Sequence, residues 1–427
     1  MRSTLKQVIV SILSGEARLA LKRHHPRVVA VTGSVGKTST KDAIYTLLAS
    51  IDHTRKSQKS FNSELGVPLT ILGLPNAWSN VLGWLENMVE GMHVVLSGGY
   101  PKSLVLEVGA DRPGDIRALA WLRPHIVVFT RFPDVPVHVE FFSSPEAVIE
   151  EKRELKHALR PGGVLIVNAD DPHMHDEQVP RDRRILSYGF GDSATVRALS
   201  AAVAYEGAVP VGMVLAVRFQ NEQLDLTVRG ALGIHHTYPV LAALTVGIAE
   251  GVSFAHAVQS MSEHVPPPGR MRIVPGVHDS IILDDTYNAS PVAVEAGLAT
   301  LSGLSVHGRR IVVLGDMMEL GEYSVDAHRA VGAQVAKTAD IFISVGIRMA
   351  AAADAAHAKR RKGFHVEKVK DAREAGRLVQ DIVRESDVVL VKGSQSMRME
   401  RVVEMLMAEP ERASDLLVRQ EVEWKRR

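Results

Sequence analysis

The sequence predicts an α/β protein of two units, a P-loop-type central domain with a mostly parallel sheet followed by a C-terminal Rossmann-like α/β domain. Three observations predict it. Short β-branched apolar runs alternate with helical stretches from Val28 onward. A glycine turn, Gly33 to Gly36, separates the first such run from the first such helix. Val265-Pro266-Pro267-Pro268-Gly269 then interrupts the alternation, and a run of prolines forms a stiff extended spacer. The expected units are an N-terminal amphipathic helix over 1–27, a central domain over 28–264 and a C-terminal domain over 265–427. A chain of 427 residues is too long for one typical core.

In chain order, Met1 to Leu21 carries apolar residues interrupted by Glu16 and Arg18, with Lys22 just beyond, which reads as an amphipathic helix and not a signal peptide. Val28–Val31 is a buried strand, and the helix after it begins near Lys37. Between Trp78 and Leu96, Val81, Leu82, Leu85, Met88, Val89 and Met92 recur at helical spacing beside Trp84. This broad apolar face packs on the core or on a partner, with peripheral membrane contact as the alternative. Further strands are expected at Ser103–Glu107, Ile126–Thr130, Val164–Asn168 and Arg184–Tyr188, with helices from Gly114 and over Pro145–Leu159. Alternation in Met213–Phe219 and Leu224–Val228 suits an antiparallel edge, and helices follow at Pro239–Glu250 and Phe254–Ser262. Beyond the prolines come strands at Ile281–Asp284, Arg310–Leu314, Ile341–Val345 and Val388–Val391, with helices after Pro291, Asp326, Arg348, Asp371 and Met397.

Composition excludes several classes of function. Fifty Lys and Arg balance 49 Asp and Glu, aromatics make up 5%, and no single-sign block appears, so nothing favours nucleic acid. The absence of cysteine removes disulfides, thiolate nucleophiles and cysteine metal sites, and fits a reducing cytoplasm. No uncharged apolar run is long enough to span a bilayer.

The candidate chemistry starts at Gly33-Ser34-Val35-Gly36-Lys37-Thr38-Ser39. Glycines let the backbone approach phosphate oxygens, Lys37 adds a point charge, and Thr38 offers a hydroxyl to Mg2+. Its spacing is shorter than GxxxxGK[ST]. Glu107 ends an apolar strand, where ligands collect in open α/β sheets, and a carboxylate there suits a hard cation; a solvated strand end is the alternative. His138 follows the next strand and matters only through its neighbours. Lys152 falls on the apolar face marked by Val148, Leu155 and Leu159. Partial burial leaves more neutral amine, able to form a carbamate with carbon dioxide; outward snorkelling or a glutamate pair is the alternative. Asp284 and Asp285 end a further strand, ahead of Ser290 as N-cap and Pro291 at the first helical position. Gly315-Asp316 and Lys392-Gly393-Ser394 repeat the pattern of polar residues at strand ends.

Together, TGSVGKTSTK, FNSELGVPLTIL, LEVGA, HVEFF followed by EEKREL, PPPGRM, DDTYNASP, LGDMMELGE and VKGSQSMRME resemble the Mur ligase family, from about Val28 to Leu406. The resemblance implies an ATP-dependent amide-forming ligase of peptidoglycan precursor synthesis, working through an acyl phosphate with ATP and Mg2+ in the cytoplasm. Its last three motifs imply a UDP-muramoyl tripeptide and a D-alanyl-D-alanine dipeptide as small-molecule substrates. It places Lys37 on the ATP phosphates, Thr38 on one Mg2+, and Glu107, His138 and carbamylated Lys152 on a second. His236, Arg270, Asp285 and Asn288 would meet ATP, while Asn62, Ser63, Lys392, Ser394 and Ser396 would meet substrate. Three features depart from the family pattern: only Met1–Arg27 precede the first strand, His236 and Pro239 stand where asparagines are usual, and Gln395 replaces a common arginine. They open two alternatives, a ligase for another carboxylate and amine or a nucleotide-binding homologue without catalysis.

Overall fold

The computed structural model describes residues 3–425, apart from 59–60, 79, 135, 137 and 360–361. Met1 and Arg2 of the expected first helix, Ser79 of the Trp78–Leu96 segment and the last two residues lie outside the described residues.

The strands of the first sheet are β1 (Arg27–Thr32), β2 (Thr54–Lys56), β3 (Ser103–Glu107), β4 (Ile126–Phe129), β5 (Val164–Asn168), β6 (Arg184–Gly189), β7 (Val196–Glu206), β8 (Val209–Phe219) and β9 (Glu222–Arg229). Their order is β2-β3-β1-β4-β5-β6-β7-β8-β9. Pairing is parallel as far as β6 with β7 and antiparallel from β7 through β9. The second sheet contains β10 (Arg272–Pro275), β11 (Ile281–Asp285), β12 (Arg310–Gly315), β13 (Ile341–Val345), β14 (His365–Val369) and β15 (Val388–Lys392), in the order β10-β11-β15-β12-β13-β14. Only the β10–β11 pair is antiparallel there.

The α/β architecture is as expected, with differences where sequence signals are weak. β2 and β10 are three and four residues long, too short for periodicity to register, and β14 is exposed along much of its length. The helix expected from Gly114 is only Asp115–Ala118, because a 3-10 turn at Ala120–Leu122 and left-handed Arg123 end it. The helix expected over Pro145–Leu159 is α-helical to Arg153 and 3-10 over Glu154–Ala158. Tightening of this kind is common at helix ends, and it keeps Val148, Lys152 and Leu155 on the buried face.

Helices cover both faces of the first sheet. On one side α2 (Lys37–Ala49) packs with the helix Thr237–Ala249, whose Val240, Leu241, Leu244 and Val246 are fully buried. On the other, α1 (Ser3–His24) packs on α3 (Gly66–Leu72) and α4 (Val81–Leu96). Helix α4 buries Trp84, Asn87, Gly91 and Val95 and leaves Leu82, Leu85, Val89 and Leu96 more than half exposed. A second part of the core lies on the β11–β15–β12–β13 sheet.

The chain is fastened as soon as it leaves the three prolines. Immediately after them, Gly269 N–H donates to Asp284 at 3.1 Å and Met271 N–H to Asp285 at 3.2 Å. Strand β10 pairs with β11 on one edge. On its other edge, Ile273 N–H reaches Gly230 C=O at 2.9 Å, and Met271 C=O accepts from Leu232 N–H at 3.2 Å. One short strand therefore bonds to both halves of the molecule.

Candidate active site

The carboxyl ends of the two parallel sheets face a common cavity of about 380 Å³. That is where a doubly wound sheet exposes loops and helix starts to ligands. From the first sheet, β1 delivers the glycine turn. Gly33 has φ 143°, and a Cβ there would lie 2.0 Å from Thr130 Oγ1; Gly36 has φ 89°. Both positions therefore need glycine, the first for want of space and both for backbone conformation. The first intrahelical bond of α2 is Thr40 N–H to Gly36 C=O, so the amides of Lys37, Thr38 and Ser39 have no intrahelical acceptor. The N–H groups of Ser34 and Val35 behave differently, both donating to Arg131 C=O, at 2.9 and 3.2 Å. These two residues line the cavity, while their amides are already committed to Arg131.

The side chains form a connected network. Lys37 Nζ donates to Gly33 C=O at 2.9 Å, and burial lowers its pKa against the opposing pull of Glu107. Thr38 Oγ1 donates to Glu107 Oε2 at 2.9 Å and accepts from Arg270 Nη2 at 3.0 Å. Asn62 Nδ2 donates to the other Glu107 oxygen at 3.2 Å. Lys152 is 1% exposed, with Nζ 3.1 Å from Ser34 Oγ. Burial, then the charge of Lys37, holds its pKa well below the ordinary lysine value. The lysine thus does not snorkel, and among the described residues it pairs with no glutamate.

His138 lines the same cavity but is held by acids other than Glu107. It adopts φ 70°, with Nδ1 2.8 Å from Glu319 and Nε2 3.6 Å from Asp111. Among the described residues no three His, Asp or Glu side chains gather as a ready-made metal cage. The donors that do meet, the Thr38 hydroxyl and Glu107 carboxylate, are hard oxygens of the kind Mg2+ takes.

The second sheet supplies the opposite wall. Lys392 Nζ donates to Asp285 Oδ2 at 2.6 Å and to Asn288 C=O at 2.9 Å, joining the ends of β15 and β11. Arg270 lies 3.7 Å from the Tyr287 ring centre, a cation–π contact. Asp284, by contrast, is fully buried and faces inward. It accepts from Gly269 N–H and from Thr286 N–H and Oγ1, and burial raises its pKa to about 6. Both acids of the adjacent pair fasten the chain after the prolines, and Asp285 also lines the cavity. His236 lines the cavity beside His235, its pKa held well below the usual histidine range by burial, then by His235 and Arg270.

Three expected substrate residues are not among those lining the cavity. Ser63 Oγ accepts from Gly66 N–H at 3.4 Å, Ser394 Oγ accepts from Met318 N–H at 2.8 Å, and Ser396 is exposed. Hydroxyls that satisfy nearby backbone amides are poor guides to a site. The cavity in turn contains residues that sequence reasoning passed over, among them Asp111, Arg131, Tyr238, Tyr287 and Glu319. Tyr287 and Glu319 lie inside the quoted motifs DDTYNASP and LGDMMELGE, and Asp111 directly follows LEVGA, whereas Arg131 stands in no quoted motif.

The fold and cavity define a class: a two-unit nucleotide-dependent enzyme in which a phosphate-binding turn on one sheet is opposed by basic and acidic side chains from a second. Residues 31–247 match the Mur ligase middle domain, and residues 269–395 match the Mur ligase glutamate ligase domain. The chain belongs to the Mur ligase family, and is an ATP-dependent carbon–nitrogen ligase. A Bacillus subtilis UDP-N-acetylmuramoyl-tripeptide–D-alanyl-D-alanine ligase is 27% identical, over 92% of this chain and 79% of the relative. The Mycobacterium leprae enzyme of the same name is 28% identical, over 90% of this chain and 74% of the relative. The crystal structure of MurF ligase from Thermotoga maritima in complex with ADP superposes with a TM-score of 0.76 at 26% identity, covering 94% of this chain and 84% of that one.

Proposed function

We propose that this chain joins D-alanyl-D-alanine to UDP-N-acetylmuramoyl-tripeptide in the cytoplasm, using ATP. The observation that carries the reading is the opposition of Lys37, Thr38 and Glu107 to Arg270, Asp285 and Lys392 across one cavity. Two named relatives with that activity align over nine-tenths of the chain.

In this mechanism the tripeptide carboxylate attacks the γ-phosphorus of ATP, and the bond to ADP breaks as the acyl phosphate forms. The dipeptide amine then adds to the acyl carbon and expels phosphate as the amide forms. Phosphoryl transfer depends on positioning and neutralisation of charge. Lys37 and Arg270 supply positive charge on either side of the phosphates, and the amides at the start of α2 supply oriented donors. Asp285 and Asn288 fix the nucleotide from the second unit. His236, uncharged at neutral pH, offers its ring to the base. Glu107, Thr38 and His138 would hold Mg2+, which neutralises phosphate charge when bound.

Lys152 completes the set as a carbamate. Its neutral amine adds to carbon dioxide, forming an N–C bond and releasing a proton, which converts a buried base into a carboxylate beside the phosphate turn. Asn62, which donates to Glu107, would meet the muramoyl substrate.

Phosphate release in the presence of both substrates tests the assignment. Stimulation well above either substrate alone is expected, and its loss in Lys37→Ala. Turnover that ignores the dipeptide would reject this substrate pair, and hydroxamate trapping with other carboxylates would then identify the acid.

A further inference from the structure

A second cavity, of about 420 Å³, lies between the helices Ala372–Ile382 and Glu400–Leu406 and the C-terminal stretch, and shares no lining residue with the first. Its walls contain Arg373, Arg377, Arg398, Arg401, Arg419 and Lys425, against only Glu400 and Glu404. Six cations facing two acids is an unbalanced lining for a protein whose overall charge is close to neutral.

The floor of this cavity is rigidly built. Glu400 is completely buried, with Oε1 2.5 Å from Arg398 Nε and Oε2 3.0 Å from Arg419 Nη1. Arg398 also donates to Trp424 C=O at 2.7 Å. Arg419 donates to the carbonyls of Thr286, at 3.1 Å, and Tyr287. Its buried Nε has no hydrogen-bond partner among the described residues. The buried acid of the lining, Glu400, is therefore already consumed by two of its arginines, which leaves Glu404 as the one carboxylate set against the other cations. Around this floor Arg373, Arg377 and Arg401 make no ion pair within the described residues. Burial, then Arg398 and Arg373, pushes the Arg401 guanidinium below its ordinary pKa. Crowded like charges raise the free energy of the empty pocket, and an anion between them relieves it.

We propose that this pocket binds a compact anion with two or more phosphate groups. Guanidinium forks match phosphate oxygens in bidentate geometry, and three of them on separate turns can grip more than one phosphate. The cavity is also larger than a single phosphate requires. The shared chemistry is a diphosphate, whether inorganic or the tail of a nucleotide.

Titration calorimetry on the full chain without magnesium, with pyrophosphate and separately with ADP, tests this. The Lys37→Ala background disables the phosphate turn. Pyrophosphate is expected to retain one site there, weakening as salt is raised, and the added pair Arg373→Ala and Arg377→Ala should lower its affinity at least tenfold. Both arginines are exposed, so an unchanged melting temperature shows that the fold is intact. ADP competing for the retained site assigns it to a nucleotide tail, and failure to compete assigns it to inorganic diphosphate. Loss of all pyrophosphate binding in Lys37→Ala alone, or affinity unaffected by the arginine pair, overturns the proposal.

Discussion

Lys152 shows how burial gives a common side chain unusual chemistry. A lysine that is 1% exposed and beside Lys37 favours its neutral form, and only that form reacts with carbon dioxide. Lys152→Ala is expected to abolish ligation, with part of the activity returned by millimolar formate or acetate; an alanine variant that stays active would remove the lysine from the mechanism. Asp284 makes the opposite case. Burial raises its pKa from 3.8 to about 6, so the folded state holds the proton more tightly than the unfolded chain. The corresponding stability is greatest below about pH 4 and is lost as pH rises through about 6. A rise of this size corresponds to about 3 kcal/mol at most. Urea unfolding from pH 4 to 7 should show this loss in the natural chain and a flatter profile in Asp284→Asn.

At the scale of elements, the phosphate turn combines two constraints that act on the same residue. Gly33→Ala would place a methyl group 2.0 Å from Thr130 Oγ1 at φ 143°. The cost is on the order of 2 kcal/mol, measurable as a lower urea midpoint, with weaker ADP binding as β1 and β4 move apart. Helix α4 makes the contrasting prediction. Leu85 and Val89 are 55% and 74% exposed, so Leu85→Glu with Val89→Glu should change unfolding free energy by less than about 0.5 kcal/mol.

These elements also mark what the sequence could and could not disclose. Short buried strands such as Ser103–Glu107 and Ile341–Val345 were legible because each is a compact, largely apolar run buried along its whole length. Glu107, Lys152 and Asp285 were legible as polar residues at strand ends or on an apolar helix face. Arg131 and Tyr238 were not, since each reaches the cavity only through tertiary packing. Ser394 misled for a local reason: its hydroxyl is used by Met318 N–H.

Across the whole molecule, the two halves meet through His138 and Glu319 as well as through the chain itself. That pair is partly solvated, at 24% and 41% side-chain exposure, so it contributes under about 1 kcal/mol to stability. Glu319→Ala should therefore leave the unfolding midpoint nearly unchanged. Its effect belongs to the cavity mouth, where hydrogen exchange of the Val139–Phe141 and Gly321–Tyr323 amides should quicken.

Strand β10 carries a consequence for how such halves move. Bonded along one edge to β11 and along the other to residues 230–232, it works like the spine of a book. Covers turn about a spine without tearing it, so travel is small beside β10 and largest at the edges furthest away. Distance probes placed near Gly230 and Ile282 would then stay almost constant on nucleotide binding, while a pair spanning the cavity mouth would record the full swing.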